Sequence, residues 1–322
     1  MNEIKRILKA LITILIFFVV LDNAVGLVFD RLLSCLPDNG DKVAKANYVI
    51  NRMNSDCVVI GSSRALSHYD TRVLVDSLPY NTVYNCGIDG QGTYYTDMLV
   101  NLLLDRYTPK TIIWDFKYLE FTKPGIDNLS MLYPYYYSNN SVKSFLNRVE
   151  PTLKYTIWIN SYRYNGTAAR IIKSTFSHND NDYLGFESHT STITSKEIVC
   201  DTISTEGEVI DANKVALFVK TLQRIKESGI ELFVVLSPVF DKLEGSNKTV
   251  ETLKKLADEY DFVVLDYSQD PDYVGNVSYV YDKDHLNAVG AEYFTKEVVD
   301  KIRSQNKASI VNYWTACESK PE

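Results

Sequence analysis

The sequence predicts a three-layer α/β/α fold: a parallel, five-stranded sheet covered by helices on both faces, with an inserted, mainly helical segment and an N-terminal membrane helix. Three observations predict it. Short, fully apolar runs alternate with stretches of helical periodicity, the pattern of strands buried on both faces and joined by crossover helices. One stretch, about residues 117–210, breaks that rhythm with a composition rich in Tyr, Asn and Ser. The first 31 residues are basic at their start and apolar beyond it.

Lys5, Arg6 and Lys9 precede an apolar run over residues 10–21, which Asp22 and Asn23 interrupt before residues 24–29 resume it. A helix needs about 20 apolar residues to cross the hydrocarbon core. Residues 7–29 meet that length if Lys9 lies near one end and Asp22, a costly residue in lipid, is tolerated. The basic start faces the cytoplasm, so the expected arrangement is a single-pass protein of the inner (cytoplasmic) membrane, its body exported to the extracytoplasmic, periplasmic side. A signal peptide cleaved near the small residues Ala24 and Gly26 and an amphipathic helix of a soluble protein fit the same residues. The expected division is an anchor over 1–31 and one α/β domain over 32–322.

Residues 32–55 are polar and mixed and read as a connection into the first strand. Cys57-Val58-Val59-Ile60 is that strand, stopped by Gly61-Ser62-Ser63. Residues 82–86 form the second strand and lead into a Gly-containing turn, 97–104 a helix, and 111–114 the third strand. Residues 214–226 have helical periodicity and end before Gly229. The fourth strand, 231–236, is stopped by Ser237-Pro238; a helix over 250–260, a fifth strand over 262–265 and a closing helix over 288–303 follow. A structureless loop as long as 117–210 would be unusual, so this segment reads as a helical subdomain or lid. Its tyrosines, as in Leu132-Tyr133-Pro134-Tyr135-Tyr136-Tyr137, suit a sugar or protein surface, or else pack the insertion itself.

Composition removes several function classes. The net charge is −7 and no basic stripe is present, which argues against a nucleic-acid partner. Fourteen Gly and nine Pro exclude collagen-like or low-complexity chains. Five cysteines in 322 residues exclude a disulfide-dense scaffold, and the lack of any CxxC pair excludes a zinc ribbon. Asn85 to Gly92 contains glycines but not the spacing of a dinucleotide site. No cofactor is expected.

Candidate chemistry falls at strand ends, where open α/β sheets bind ligands. Ser63 follows a buried strand and opens a helix, where outward-pointing N–H groups stabilise developing negative charge. A plain Gly-Ser-Ser turn is the bland alternative. The Asn85–Gly92 turn follows the second strand. Late in the chain, Asp282 and His285 are three residues apart in Tyr281-Asp282-Lys283-Asp284-His285-Leu286-Asn287. That spacing puts both on one side of a helical turn, so that the carboxylate fixes the imidazole tautomer and leaves the other nitrogen free as a base. A surface turn, or a metal site from Asp282, Asp284 and His285, is the other reading; no second His or Cys cluster supports a metal. His68 would lie on the helix after Ser63, where a structural role suits it.

The order of a strand-end Ser, a Gly turn after the second strand and a late Asp-x-x-His-Leu-Asn resembles the SGNH (GDSL-type) hydrolase superfamily, and within it the membrane-anchored members found in bacterial cell-surface polysaccharide loci. The resemblance covers residues 55–117 and 211–303, and it implies a flavodoxin-like sheet. It implies that Ser63 is the nucleophile, that His285 is the general base with Asp282 as partner, and that the backbone N–H groups of Ser63 and Gly90 form the oxyanion hole. Two positions depart from the pattern. Ser62 stands where the family carries an acidic residue. The third block supplies no Asn: Trp114-Asp115-Phe116-Lys117-Tyr118-Leu119-Glu120 follows the third strand, leaving Lys117, Tyr118 or a backbone N–H to substitute. Losing one oxyanion donor costs about 2.7–4 kcal/mol of transition-state stabilisation.

The resemblance thus implies an exported, membrane-tethered serine esterase or O-acyltransferase acting on acyl, in particular acetyl, esters of a cell-surface glycan. Its partners would be a surface polysaccharide or its acyl donor, the membrane through residues 7–29, and a membrane-bound acyltransferase. The missing Asn motivates the alternative: a non-catalytic glycan-binding or assembly subunit of the same fold beside such an acyltransferase.

Overall fold

The computed structural model describes residues 2–38, 41–122, 129–176, 182–191 and 198–318. Two compact units emerge: Met1–Met53 with Asn128–Asn179, and Asn54–Asp127 with Asp180–Glu322. Helices α1 (Asn2–Cys35) and α2 (Lys42–Asn51) precede strand β1 (Cys57–Ile60). Helices α3 (Ser63–His68) and α4 (Thr71–Ser77) lead to β2 (Val83–Asn85), and α5 (Thr93–Leu104) leads to β3 (Thr111–Asp115). The insertion contributes α6 (Asn140–Val149), α7 (Asn160–Tyr164) and α8 (Ala168–Phe176). Helix α9 (Ala212–Glu227), β4 (Glu231–Leu236), α10 (Lys248–Tyr260), β5 (Val263–Asp266) and α11 (Ala288–Glu318) complete the chain.

In the second unit the five strands are parallel and ordered β2-β1-β3-β4-β5. This is the flavodoxin-like order, which reverses direction between β1 and β3 and opens a crevice at their carboxyl ends. The two-residue period of a strand assigns each side chain to a face. Cys57, Val59, Ile113, Phe233 and Val235 share one core with Ala65, Leu74, Phe294 and Val298, so α3, α4 and α11 cover that face. The alternate residue Trp114 packs on Phe218 of α9, ring centroids 4.9 Å apart, on the other. Full burial along β1 and β3 explains why these strands read as unbroken apolar runs. The three-layer architecture is therefore the one the alternation predicts.

The first unit joins the amino terminus to part of the insertion. Every large apolar side chain of α1 from Ile4 to Leu21 is exposed, and an 18-residue window has a mean hydropathy of 2.5. Among the described residues this is one helix long and apolar enough to cross a membrane. At Asp22 the character of α1 changes. The Asp22 carboxylate is buried and accepts hydrogen bonds from the backbone N–H groups of Asn160 and Ser161, both at 2.8 Å, from the Ser161 hydroxyl at 2.7 Å and from Asn160 Nδ2 at 3.1 Å. The residue that breaks the apolar run therefore satisfies the open N–H groups at the start of α7. One turn on, Gly26 lets the helices meet, since a Cβ there would stand 2.5 Å from Asn160 Cγ. Asp30 pairs with Arg163 at 3.1 Å and accepts from the Tyr164 hydroxyl, and Phe29 stacks on Tyr164.

One reading changes in detail, and one pair of alternatives is narrowed. Residues 32–55 contain the regular helix α2, capped by Asp41, whose carboxylate accepts from Val43 N at 2.9 Å. The tyrosine run in the insertion largely serves packing, with Tyr135 and Tyr136 buried and Tyr137 exposed.

Candidate active site

Ser63 is the first residue of α3, directly after β1, and is half-buried. Three contacts hold this helix against the strand ends. Asn85, fully buried at the end of β2, donates from Nδ2 to the carbonyls of Ala65 at 2.7 Å and Tyr69 at 3.3 Å, and its Oδ1 accepts from Gly87 N at 2.9 Å. Gly87 allows the turn to abut the helix, since a Cβ would lie 2.4 Å from Leu66 N. Arg64, buried, donates from Nε to Ser237 Oγ at 3.1 Å and from its terminal nitrogen to the Ser237 carbonyl at 2.6 Å and to the Pro238 carbonyl. The Ser-Pro stop after β4 is thereby clamped to the residue next to Ser63.

Beneath Arg64, the Tyr69 hydroxyl donates to Asp115 Oδ1 at 3.0 Å. Burial pushes the Asp115 carboxyl up, against the opposing pull of Arg64. Gly90 sits at φ +72° in the turn that Gln91 N closes onto the Ile88 carbonyl at 3.4 Å. A positive φ at this third position of a turn favours glycine. Lys117 and Tyr118 lie in the loop after β3, both half-buried. Burial raises the Tyr118 phenol, and Arg64 offsets part of that rise.

Residues 280–286 form a small loop closed by a bridge between Val280 and Leu286. Its sequence is used almost residue by residue. Asp282 Oδ1 accepts from the backbone N–H groups of Asp284 at 2.8 Å and His285 at 2.9 Å, which folds the loop. Both carboxylate oxygens also stand 2.9 Å from His285 Nδ1. Leu286 is buried in the core. Asn287 Oδ1 accepts from Gly290 N at 2.9 Å, capping α11. Partial burial opposes ionisation of Asp282, but the hydrogen bonds from His285 and the Asp284 N–H outweigh it and hold the carboxyl below its ordinary range. An ionised carboxylate only accepts, so Nδ1 is the donor in this pair. His285 Nε2 is buried and has no hydrogen-bond partner.

Ser63 opens α3, and His285 lies beside the other end of that helix. The His285 ring lies 6.4 Å from that of His68, the last residue of α3, and Ser63 is roughly 7.5 Å of helix axis away from His68. No hydrogen bond joins Ser63 to His285 Nε2. Two further histidines complete the surroundings. A two-stranded hairpin, Asp182–Tyr183 with Phe186–Glu187, packs Phe186 into the core and delivers His189. His189 stacks on Tyr281 at 4.3 Å, has its Nε2 3.1 Å from Ser67 Oγ, and lies 6.5 Å from the His285 ring. Neither His68 nor His189 stood out as a site residue in the sequence. His68, five residues beyond Ser63, was the available signal, whereas His189 sits in a segment without a motif. Among the described residues no group of three or more His, Cys, Asp or Glu is placed to hold a metal ion.

No family model matches the chain, and no curated protein matches it. Among solved structures, a "putative acylhydrolase" from Bacteroides fragilis NCTC 9343 is similar at 11% identity with a TM-score of 0.35, over 85% of this chain and 95% of that chain.

The environment of His68 gives a pH prediction. Burial, reinforced by Arg64 and His285, holds its imidazole well below the ordinary value, so the folded protein keeps it neutral while the unfolded chain protonates near 6.5. Stability is fully present above that pH and falls below it, by up to about 1.4 kcal/mol per pH unit for this one proton. Denaturant titrations across pH 6.5 are expected to show the fall, and a shallower one in His68→Gln.

Proposed function

We propose that the protein is an exported, membrane-tethered serine esterase or O-acyltransferase of the SGNH type, acting on acyl esters, in particular acetyl esters, of a cell-surface glycan. The observation that carries this reading is the Asp282–His285 pair, with a buried, unpartnered Nε2 on a ring 6.4 Å from that of His68, the last residue of the helix that Ser63 begins. Ser63 Oγ attacks the acyl carbonyl as its proton passes to His285 Nε2. The oxyanion is held by the backbone N–H groups of Ser63 and Gly90, with Lys117 or Tyr118 as the further donor. The tetrahedral adduct collapses, the alcohol leaves with the proton from His285, and the acyl group stays on Ser63. Water or a sugar hydroxyl, deprotonated by His285, then takes the acyl group. Asp282 orients the imidazole and offsets its positive charge.

The apolar half of α1 supports a single-pass anchor; the bacterial inner membrane and the periplasmic side rest on the basic start of the chain and the family resemblance. The glycan substrate rests on the family resemblance. The absence of an Asn after β3 favours a second reading, a non-catalytic glycan-binding or assembly subunit beside a membrane acyltransferase. A fluorophosphonate probe separates the two. Labelling of the wild-type protein that disappears in Ser63→Ala supports the enzyme; an unlabelled wild type under activating conditions supports the binder.

A further inference from the structure

The insertion carries an exposed aromatic edge that the proposed chemistry leaves unused. Between Leu153 and Asn160 the chain makes tight turns with Leu153 and Ile157 buried, while Tyr155 and Trp158 point outward, 69% and 61% exposed. The indole N–H of Trp158 donates to the Tyr155 carbonyl at 2.8 Å, so its polar group is already satisfied. The ammonium of Lys154 sits 5.1 Å from the centre of the Tyr155 ring. Exposed amphipathic rings beside a lysine are the composition of a membrane–water boundary, where aromatics collect and basic heads reach the phosphates.

The position of this edge along α1 identifies the occupant. Trp158 is two residues before Asn160, and Asn160 is bonded to Asp22. Two residues span at most about 7 Å of backbone. Asp22 directly follows the exposed apolar stretch that ends at Leu21. Both features belong to one compact unit, so wherever the apolar half of α1 leaves the hydrocarbon, Tyr155 and Trp158 are close to the level of that exit.

We propose that the Tyr155–Trp158 edge rests in the headgroup boundary of the bilayer that α1 crosses, so that the helical unit lies on the membrane surface as well as being tethered through it. This rests on the reading of α1 as a membrane span. The area offered is small, and its contribution is orientation of the helical unit, with α1 supplying the attachment.

The test uses the full-length protein in vesicles of phosphatidylcholine and phosphatidylglycerol containing lipids brominated near the carbonyl end of the acyl chains. Tryptophan emission of the wild type is expected to be quenched, and the quenching to fall by about half or more in Trp158→Phe, an exposed position whose ring is only trimmed. Equal quenching in the two proteins, with both resistant to alkaline carbonate extraction, overturns the surface contact and leaves the span standing. Extraction by carbonate overturns the span and the contact together.

Discussion

Replacing His285 by alanine is expected to lower ester turnover by roughly 10⁴- to 10⁶-fold, the range seen when one member of a nucleophile–base pair is removed. In the proposed mechanism Nε2 takes the proton of Ser63, and no other imidazole has a carboxylate bonded to its Nδ1 among the described hydrogen bonds. Asp282→Asn is expected to cost a comparable factor for a different reason. An amide offers its NH₂ or a weaker acceptor to Nδ1, and the tautomer with a basic Nε2 loses its preference. Steady-state kinetics on an activated acyl ester, with circular dichroism to confirm folding, measures both. Turnover within tenfold of the wild type in His285→Ala would remove His285 from the mechanism, and the same result in Asp282→Asn would remove the orienting role of Asp282.

Asn85→Leu is expected to have the largest effect on the α/β unit itself, a loss of about 3 kcal/mol or more in unfolding free energy. The side chain is fully buried and makes three hydrogen bonds to the backbone. Leucine strands two carbonyls and one N–H without water, at about 1–3 kcal/mol each before relaxation. Its extra volume also meets a turn already packed against Leu66 N. Equilibrium denaturation measures the change. Near-wild-type stability would mean that the turn re-pairs its backbone, and α3 would then not depend on Asn85 for its position.

The sheet was legible in the sequence because burial on both faces makes β1, β3 and β4 nearly pure apolar runs, with Gly61, Asp115 and Ser237 at their ends. The Asp282–His285 pair was legible because both partners lie within three residues, and a contact of that range depends on local turn geometry. Contacts set by tertiary packing were not. His189 reaches its place through a hairpin that folds back over α3, and neither the hairpin nor its landing point has a local signature. Helix α2 was hidden by polar residues: Lys45 and Asn47 are buried in it, so an apolar stripe is not evident. Asp22 looked like a defect in a membrane span because its partners, Asn160 and Ser161, lie far along the chain.

That buried carboxylate also has a mechanical consequence for α1 if it serves as the proposed anchor. Asp22 and Gly26 occupy one side of α1, a single turn apart, and α7 is seated on both. A tether joined through a flexible linker swivels freely and transmits only tension. Here the Asp22 bonds and the Gly26 contact fix which side of the shaft faces α7, so a proposed tether of this kind would carry torque as well as tension.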